Sequence, residues 1–256
     1  MRHILLFLIM LSALLAETEH PTTSLQKKQK VLVGGGAYVQ SQPYEGADAI
    51  ILPTPVIFFD NKLFYVRWTR VGMYFLGSSD DEFSWGLSLT AQPRPNGYKE
   101  EESSTLKGMD TKEVSWEAGL SFATEYKQVY FELIAMHDLL DTFNGYTVRA
   151  ELGTTIKTGN WSLYPSLFAI YRSDYFNNYY YGVKESEETL FRPAYNATGD
   201  MEYAIQAYIK YDFTKEWSTL INLRADQLSN EAYNSPIVDT HQMYSGMVSL
   251  LYTFEY

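Results

Sequence analysis

Met243–Tyr256, which reads MYSGMVSLLYTFEY, is the stretch that decides the fold. From Tyr244 onward every second residue is apolar or aromatic except Gly246, whereas the intervening positions mix methionine and leucine with serine, threonine and glutamate. A period of two over fourteen residues predicts a β-strand rather than a helix. Strands of soluble proteins are usually about 5–6 residues long, so this length favours a strand that crosses a membrane. An edge strand of a soluble β-sandwich is the alternative.

The composition of the chain supports a membrane barrel. Tyrosine, phenylalanine and tryptophan make up 16% of its 256 residues, and charged residues make up 20%. Only every second residue of a barrel strand meets lipid, so such a chain keeps a polar average while it spans the membrane. The absence of cysteine excludes disulfide cross-links. The net charge of −11 argues against nucleic acid as a partner. A secreted soluble β-protein is the alternative class.

The first residues have the features of a secretory signal peptide. Arg2 supplies a positive beginning, Ile4–Leu15 is apolar except for one serine, and Ala16 is a suitable residue before cleavage. The apolar run is too short to span a membrane as a helix. We therefore predict a signal peptide at residues 1–16, a polar periplasmic segment at 17–30 and an outer-membrane β-barrel at 31–256.

Loop lengths predict the topology of the barrel. Short turns near residues 60, 127, 159 and 215 alternate with longer links at 95–112, 138–144, 174–199 and 229–242. Bacterial barrels place short turns in the periplasm and long loops outside. The turns at 60 and 127 therefore both face the periplasm, which requires an even number of strands between them. Splitting the segment 62–77 near Thr69–Arg70 satisfies this condition and predicts twelve antiparallel strands.

Two prolines complicate the second strand, which is predicted at 49–60. Proline has no N–H to donate to a neighbouring strand, so Pro53 and Pro55 predict a bulge or a distorted rim. A ten-stranded barrel is the alternative, in which this strand and one half of 62–77 lie outside the wall. Gly34–Gly36 in the first strand permit strong curvature.

The two faces of the predicted strands carry different side chains. Buried charges need partners, so charges on the inner face predict either an ion-pair network that plugs the lumen or a narrow water path. These inner charges are Glu117, Arg149, Glu151, Glu202, Lys210, Asp212 and Arg224. Aromatic residues near strand ends on the outer face predict girdles at the lipid interface. They are Trp85, Trp116, Trp161, Trp217, Tyr252 and Phe254.

Candidate catalytic residues lie at the rim of the predicted barrel. His137 and Asp138, with Asp141 three residues later, stand where a strand meets an outer loop, and a His–Asp pair is able to activate water. The acidic pair at 80–81 falls at the opposite, periplasmic end. No histidine lies at a recognisable offset from a serine, and no spacing suits a metal. We therefore predict no catalytic, cofactor-binding or metal-binding residues, with a rim hydrolase as a minor alternative.

Several short pieces of sequence occur in a fixed order along most of the chain beyond the signal peptide. They are Gly34–Gly36, Tyr44–Gly46, Leu52–Pro53, Phe58–Phe64, Val71–Gly72, Arg192–Tyr195 and Ser235–Val238. Each piece is weakly specific by itself, but the ordered set resembles the MipA/OmpV family of MltA-interacting proteins. The resemblance implies a β-barrel in the outer membrane of a Gram-negative bacterium.

The resemblance also implies a non-enzymatic role and a set of partners. One family member is a scaffold that links a murein-cleaving transglycosylase to a murein synthase, so a scaffold or another envelope-maintenance role is expected here. Expected partners are outer-membrane lipid, the barrel assembly machinery and a periplasmic murein hydrolase or synthase. Phe254 and Tyr256, at the end of the closing strand, are the expected assembly signal. A narrow pore for small solutes is the alternative function.

Overall fold

The computed structural model describes residues 30–80, 82–94 and 97–255. The predicted signal peptide and residues 17–29 lie outside this description. The strand segments, numbered in chain order, are β1 Lys30–Gln40, β2 Ile50–Asp60, β3 Phe64–Arg67, β4 Arg70–Ser79, β5 Phe83–Arg94, β6 Ser115–Tyr126, β7 Val129–Asp138, β8 Tyr146–Thr154, β9 Ile156–Thr158, β10 Trp161–Arg172, β11 Asp200–Asp212, β12 Trp217–Gln227 and β13 Gln242–Glu255. The helices are α1 Asp174–Tyr181 and α2 Asn230–Tyr233. No helix in the described ranges is long and apolar enough to cross a membrane.

These segments form one closed antiparallel barrel of twelve wall strands. Each strand pairs with its neighbour in sequence, and the sheet closes where β13 pairs with β1 along its whole length. β8 and β9 both pair with β10 on either side of Thr155, so together they act as one wall strand. The predicted count of twelve is confirmed, and the ten-strand alternative is wrong.

The side chains of the wall strands alternate between apolar outward and polar inward positions, as a membrane barrel requires. In β11, Ile205 faces outward and is 60% exposed, whereas Glu202 is buried in the interior. The outward phase also carries Trp116, Trp161 and Trp217, which are all exposed near strand ends. Apolar residues therefore meet the surroundings while polar residues meet the lumen.

Close packing of β1 against β13 explains two of the glycines in the first strand. A Cβ atom on Gly34 would lie 1.9 Å from the carbonyl oxygen of Leu250, and one on Gly36 would lie 2.0 Å from that of Val248. Only glycine fits at such an approach. The closing seam of the barrel therefore depends on these two positions.

β3 and β4 form a short hairpin whose tip lies partway up the wall. The chain turns at residues 68–69, where Trp68 has a φ of +59°, so the split predicted near Thr69–Arg70 is confirmed. β2 pairs with β1 without interruption from Ile50 to Phe59, so the bulge expected at its prolines is absent. An irregularity lies instead in β4, between Tyr74 and Leu76.

The periplasmic ends of the strands are joined by turns of a few residues. Asn61 Oδ1 accepts hydrogen bonds from the backbone N–H groups of Leu63 and Phe64. Asp80 Oδ1 accepts hydrogen bonds from those of Glu82 and Phe83. Thr214 Oγ1 closes the turn before β12 in the same way. One side chain per turn thus satisfies the backbone donors.

The outer loops fold over the mouth of the barrel and share a hydrophobic core, which we call the outer cap. Its buried members are Tyr44, Tyr98, Leu106, Met109, Phe143, Phe176, Tyr180, Tyr181, Val183, Ala197, Leu228, Ala232, Ile237 and Met243. The helix α1 lies at its centre and begins at Ser173, whose hydroxyl accepts the N–H of Phe176. Because these side chains come from every long outer loop, the cap covers the outer end of the lumen.

Candidate functional site

All seven charges predicted for the lumen fall on the inward phase of their strands, but they do not form one network. Lys210 and Asp212 pair with each other near the periplasmic end, with Nζ and Oδ1 2.5 Å apart. Arg224 pairs with Asp226 on the same strand at 2.6 Å, and its guanidinium lies 4.4 Å from the ring centre of Phe168. Residues two apart on a strand share a face, which explains both pairs.

A cluster of charged side chains centred on Glu132 lies inside the lumen, and the sequence analysis did not single out this residue. Glu132 lies 2.8 Å from Arg70 Nη2, 3.0 Å from Arg67 Nη1 and 3.6 Å from Arg149 Nη2. The hydroxyl of Ser121 donates to the same carboxylate at 3.0 Å. The side chain of Glu132 is only 6% exposed, so its charge is stabilised by these partners rather than by water. We call this set the Glu132 cluster.

Two further carboxylates balance the arginines of the Glu132 cluster. Glu151 lies 3.9 Å from Arg149 and accepts the phenol of Tyr130 at 2.9 Å. Asp60 lies 3.4 Å from Arg67 at the periplasmic rim. Three guanidinium groups therefore face three carboxylates, and the cluster crosses the lumen from the β3–β4 hairpin to β8.

The tip of the β3–β4 hairpin supplies the arginines that the sequence analysis missed. Arg67 and Arg70 flank the tight turn and both point inward. β3 has only four residues, too few for a period of two to define its faces. The sequence did indicate that Glu132 points inward, because it alternates in phase with Ile134 and Asp138 on β7, and all three residues are buried.

A second set of ion pairs lies directly beneath the outer cap. Arg94 Nη2 lies 2.7 Å from Glu117, and Arg172 Nε lies 2.6 Å from Glu202. The ring of Phe176, from α1, lies between these two arginines, with its centre 4.9 Å from the Arg94 guanidinium and 4.5 Å from that of Arg172. The cap is thereby joined to the charged lumen through cation–π contacts.

One exposed ion pair ties two outer loops together. Lys184 Nζ lies 2.5 Å from Asp110 Oδ2. The hydrogen bond from Lys184 lowers the pKa of the Asp110 carboxyl and, in return, raises the pKa of Lys184.

Burial in the cap raises the pKa of the Tyr98 and Tyr180 phenols, so both stay neutral in ordinary media.

The rim residues considered for hydrolysis do not converge. His137 faces outward, whereas Asp138 is buried on the inner side, so consecutive residues of β7 point in opposite directions. Asp138 accepts the backbone N–H groups of Leu140, Phe143 and Asn144 and the hydroxyl of Ser115. It therefore closes the loop that follows β7. Asp80 lies in a periplasmic turn, and Asp81 is outside the described residues.

No metal site is formed by the residues that the structure describes. They contain no group of three or more histidine, aspartate or glutamate side chains placed to hold a metal ion.

Of the two residues expected to guide assembly, Phe254 faces outward, is 53% exposed and packs against Tyr252 with ring centres 4.6 Å apart. Tyr256 lies outside the described residues.

Comparison with known proteins identifies the family. The profile of the family described as "MltA-interacting protein MipA" matches residues 33–254. The MltA-interacting protein of Escherichia coli K12 is 28% identical over 231 residues, which cover 89% of this chain and 90% of the relative. Outer membrane protein OmpV of Vibrio cholerae is 28% identical over 180 residues, covering 70% and 69% of the two chains. Outer membrane protein Omp26La of Vibrio anguillarum is 27% identical over 186 residues, covering 73% and 72%.

The barrel has neighbours among solved structures as well. An outer membrane channel from Pseudomonas putida F1 aligns with a TM-score of 0.46 and 11% identity, covering 93% of this chain and all of that chain. The family profile, the outer-membrane relatives and the closed twelve-stranded wall agree with one another. The chain is thus a member of the MltA-interacting protein (MipA) family and a β-barrel of the outer membrane of a Gram-negative bacterium.

Proposed function

We propose that this protein is a non-enzymatic scaffold that holds a murein-remodelling enzyme at the inner surface of the outer membrane. The observation that carries the proposal is the closure of the lumen. The outer cap covers the mouth with a buried apolar core, and ion pairs occupy the space beneath it. A barrel of this kind provides an anchored platform rather than an open passage. The name of the Escherichia coli relative supports a partner of the MltA type.

The placement of the histidines supports a non-enzymatic role. Within the described ranges, His137 faces outward and His241 packs against the ring of Tyr233 at 3.3 Å. Neither meets the serine or the carboxylate that hydrolysis of an ester or peptide bond requires. The rim hydrolase considered from the sequence thus has no support from the geometry.

A murein enzyme is reached from the periplasmic end. Among the described residues, the surface at that end includes the short turns and the start of β1, with exposed lysines at 62 and 215. Exposed charges of this kind steer partners and fix their register. We therefore assign the docking surface to this end of the barrel.

The scaffold role is tested with purified mature protein and the MltA-type murein hydrolase of the same organism. We expect saturable binding that is weakened when Lys62→Glu and Lys215→Glu are combined. Lys99→Glu is the matched control, because Lys99 is exposed on the outer side. Absence of binding, or a loss caused by the outer substitution alone, would contradict the proposal.

The alternative function is a narrow pore, and planar bilayers separate it from the scaffold. With the outer cap in place we expect no steady single-channel conductance, because the cap covers the mouth and the paired charges of the Glu132 cluster lie inside the lumen. Steady conductance in the native protein would favour the pore.

We propose in addition that the periplasmic end of β13 is recognised during assembly. The outward rings of Trp217, Tyr252 and Phe254 lie in contact there, with centres 5.1 and 4.6 Å apart. Phe254→Ala should lower the amount of protein in the outer membrane of cells, while the purified variant refolds in detergent nearly as well as the parent. If the Phe254→Ala variant reaches the outer membrane in the same amount as the parent, the proposed recognition role is wrong.

A further inference from the structure

The barrel wall is incomplete on the outer side of the β3–β4 hairpin. β2 pairs with β3 only from Phe58 to Asp60, and the last hydrogen bond of this seam joins the Trp68 N–H to the Ile57 carbonyl. Above that point, from Ile50 to Val56, this edge of β2 pairs with no strand in the described chain. β3 and β4 themselves share only four residue pairs, whereas β5 and β6 share twelve. The wall therefore has a gap between the upper part of β2 and β5.

The two prolines of β2 belong to this unpaired edge. The N–H and C=O groups of alternate strand residues point to the same side, and Ile57 uses its carbonyl toward β3. Pro53 and Pro55 share the phase of Ile57, so they stand where an N–H would point into the gap. Proline has no N–H to leave unpaired, and it also prevents another strand from adding to the edge. The sequence thus keeps this edge free of a neighbouring strand.

The gap is lined by apolar side chains and leads to the interior. Leu52 shares the inward phase of the buried Val56, yet it is 47% exposed, and Ile51 beside it is 70% exposed. Trp68 forms the floor, with its ring centre 5.3 Å from that of Tyr38. Its indole N–H donates to Thr54 Oγ1 at 2.9 Å, so no polar group of the ring is left to satisfy. The ring of Trp68 and the side chains of Ile51 and Leu52 therefore offer apolar contacts to hydrocarbon.

We propose that this gap is a lateral window through which the acyl chain of an outer-membrane lipid enters the barrel and lies against Leu52 and Trp68. The occupant follows from position: β2 is a membrane-crossing strand, so the molecules beside its bare apolar edge are lipids. The acyl chain stops at the Glu132 cluster, because contact with paired charges does not stabilise hydrocarbon. Between β2 and the outer cap there is only a small pocket of about 20 Å³, lined by Ile50 and Phe176 but also by Gln40 and Arg172, so the window does not extend into the cap.

Quenching of Trp68 by brominated lipid tests the window directly. The variant carries phenylalanine in place of the four tryptophans on the outer surface, so that Trp68 is the sole tryptophan and can be excited selectively over the tyrosines; the replaced residues are Trp85, Trp116, Trp161 and Trp217. The protein is refolded into phosphatidylcholine vesicles with or without bromine at the middle of the acyl chains. We expect Trp68 emission to fall in the brominated vesicles.

A matched control places the fluorophore behind an intact wall. Phe168 points inward from β10, pairs with residues of β8 and β11 on either side, and lies against Arg149 and Arg224 rather than in the cluster that holds Trp68. Phe168→Trp, combined with Trp68→Phe and the four outer substitutions, should give the same emission in both kinds of vesicle. Unchanged Trp68 emission, or equal quenching at the two positions, would overturn the proposal.

A second measurement uses the unmodified protein and so does not depend on multiple substitutions. A phosphatidylcholine with a photoactivated diazirine in its acyl chain is cross-linked to the reconstituted barrel, and the adducts are located by mass spectrometry. We expect adducts on the inward residues Leu52 and Trp68 in addition to outward positions such as Ile205. Adducts confined to outward positions would rule out entry through the window.

Discussion

The outer and middle parts of this barrel are closed by different physical means. At the outer end, side chains from the long loops bury an apolar core, with Phe143, Phe176 and Tyr180 in ring contact. In the middle of the lumen, Glu132 gathers three arginines. Apolar burial is additive and tolerant of small changes, whereas a buried ion cluster depends on every partner. Single substitutions in the cap should therefore destabilise it gradually, whereas loss of one charge in the lumen should destabilise the whole ion cluster.

The largest effect is expected when the charge of Glu132 is removed. Glu132→Gln leaves Arg67, Arg70 and Arg149 without their shared carboxylate, so we expect a loss of about 3–5 kcal/mol in unfolding free energy. Urea titration in lipid vesicles measures it. Glu82→Gln is the control, because Glu82 is exposed and lies 3.9 Å from Lys127, and it should unfold like the parent. Equal stability of the two variants would show that the lumen does not depend on this cluster.

The next effect separates the two faces of the wall. Ile205→Arg places a charge toward lipid and should cost roughly 2–4 kcal/mol at the midplane. Gln206→Arg, one residue on, points into the polar lumen and should be tolerated better. Refolding titrations of both variants in vesicles measure the difference. Equal destabilisation would mean that the environments of the two faces are alike.

Much of the wall was predictable from the sequence because lipid outside and water or charge inside impose a period of two. β11 and β13 show the alternation over their full length, and loop parity gave the break beside Thr69 without any contact information. The partners of the lumen charges were not predictable. Arg70 and Glu132 stand three strands apart, and only the closed shape of the barrel brings their side chains together.

The helix at the centre of the outer cap was also missed. Asp174–Tyr181 reads DYFNNYYY, which has no clear apolar stripe, so its packing against other loops rather than its own propensity stabilises it. Ser173 before an acidic residue was the one local signal, since it is a favourable N-cap. Predicting the cap would have required the spatial order of all the outer loops.

A smaller effect probes the join between cap and lumen. Phe176→Leu keeps an apolar side chain but removes the ring that meets Arg94 and Arg172, so we expect a loss of about 1–2 kcal/mol. Limited proteolysis of the loop 182–199 in intact cells should become faster. Tyr175→Leu is the matched control, because Tyr175 is the preceding residue and is 68% exposed. Equal cleavage of both variants would show that Phe176 does not fasten the cap.

The smallest expected effect is the dependence of the cap on pH through Asp110 and Lys184. The pKa of Asp110 is depressed by Lys184, so its contribution is present above the unfolded pKa of about 3.9 and is lost as the pH falls through the lower folded value. The pKa of Lys184 is raised, so its contribution is present below about 10.4 and is lost as the pH rises through the higher folded value. Both groups are exposed, so the pair should contribute at most about 1 kcal/mol between these limits. Carboxyl chemical shifts should place the Asp110 titration below that of an isolated aspartate, and Lys184→Gln should return it toward the ordinary range. An ordinary titration of Asp110 in the parent would show that this pair does not fasten the cap, and that the apolar core and the hydrogen bonds from Arg192 to the carbonyls of Thr105 and Lys107 hold the outer loops together without it.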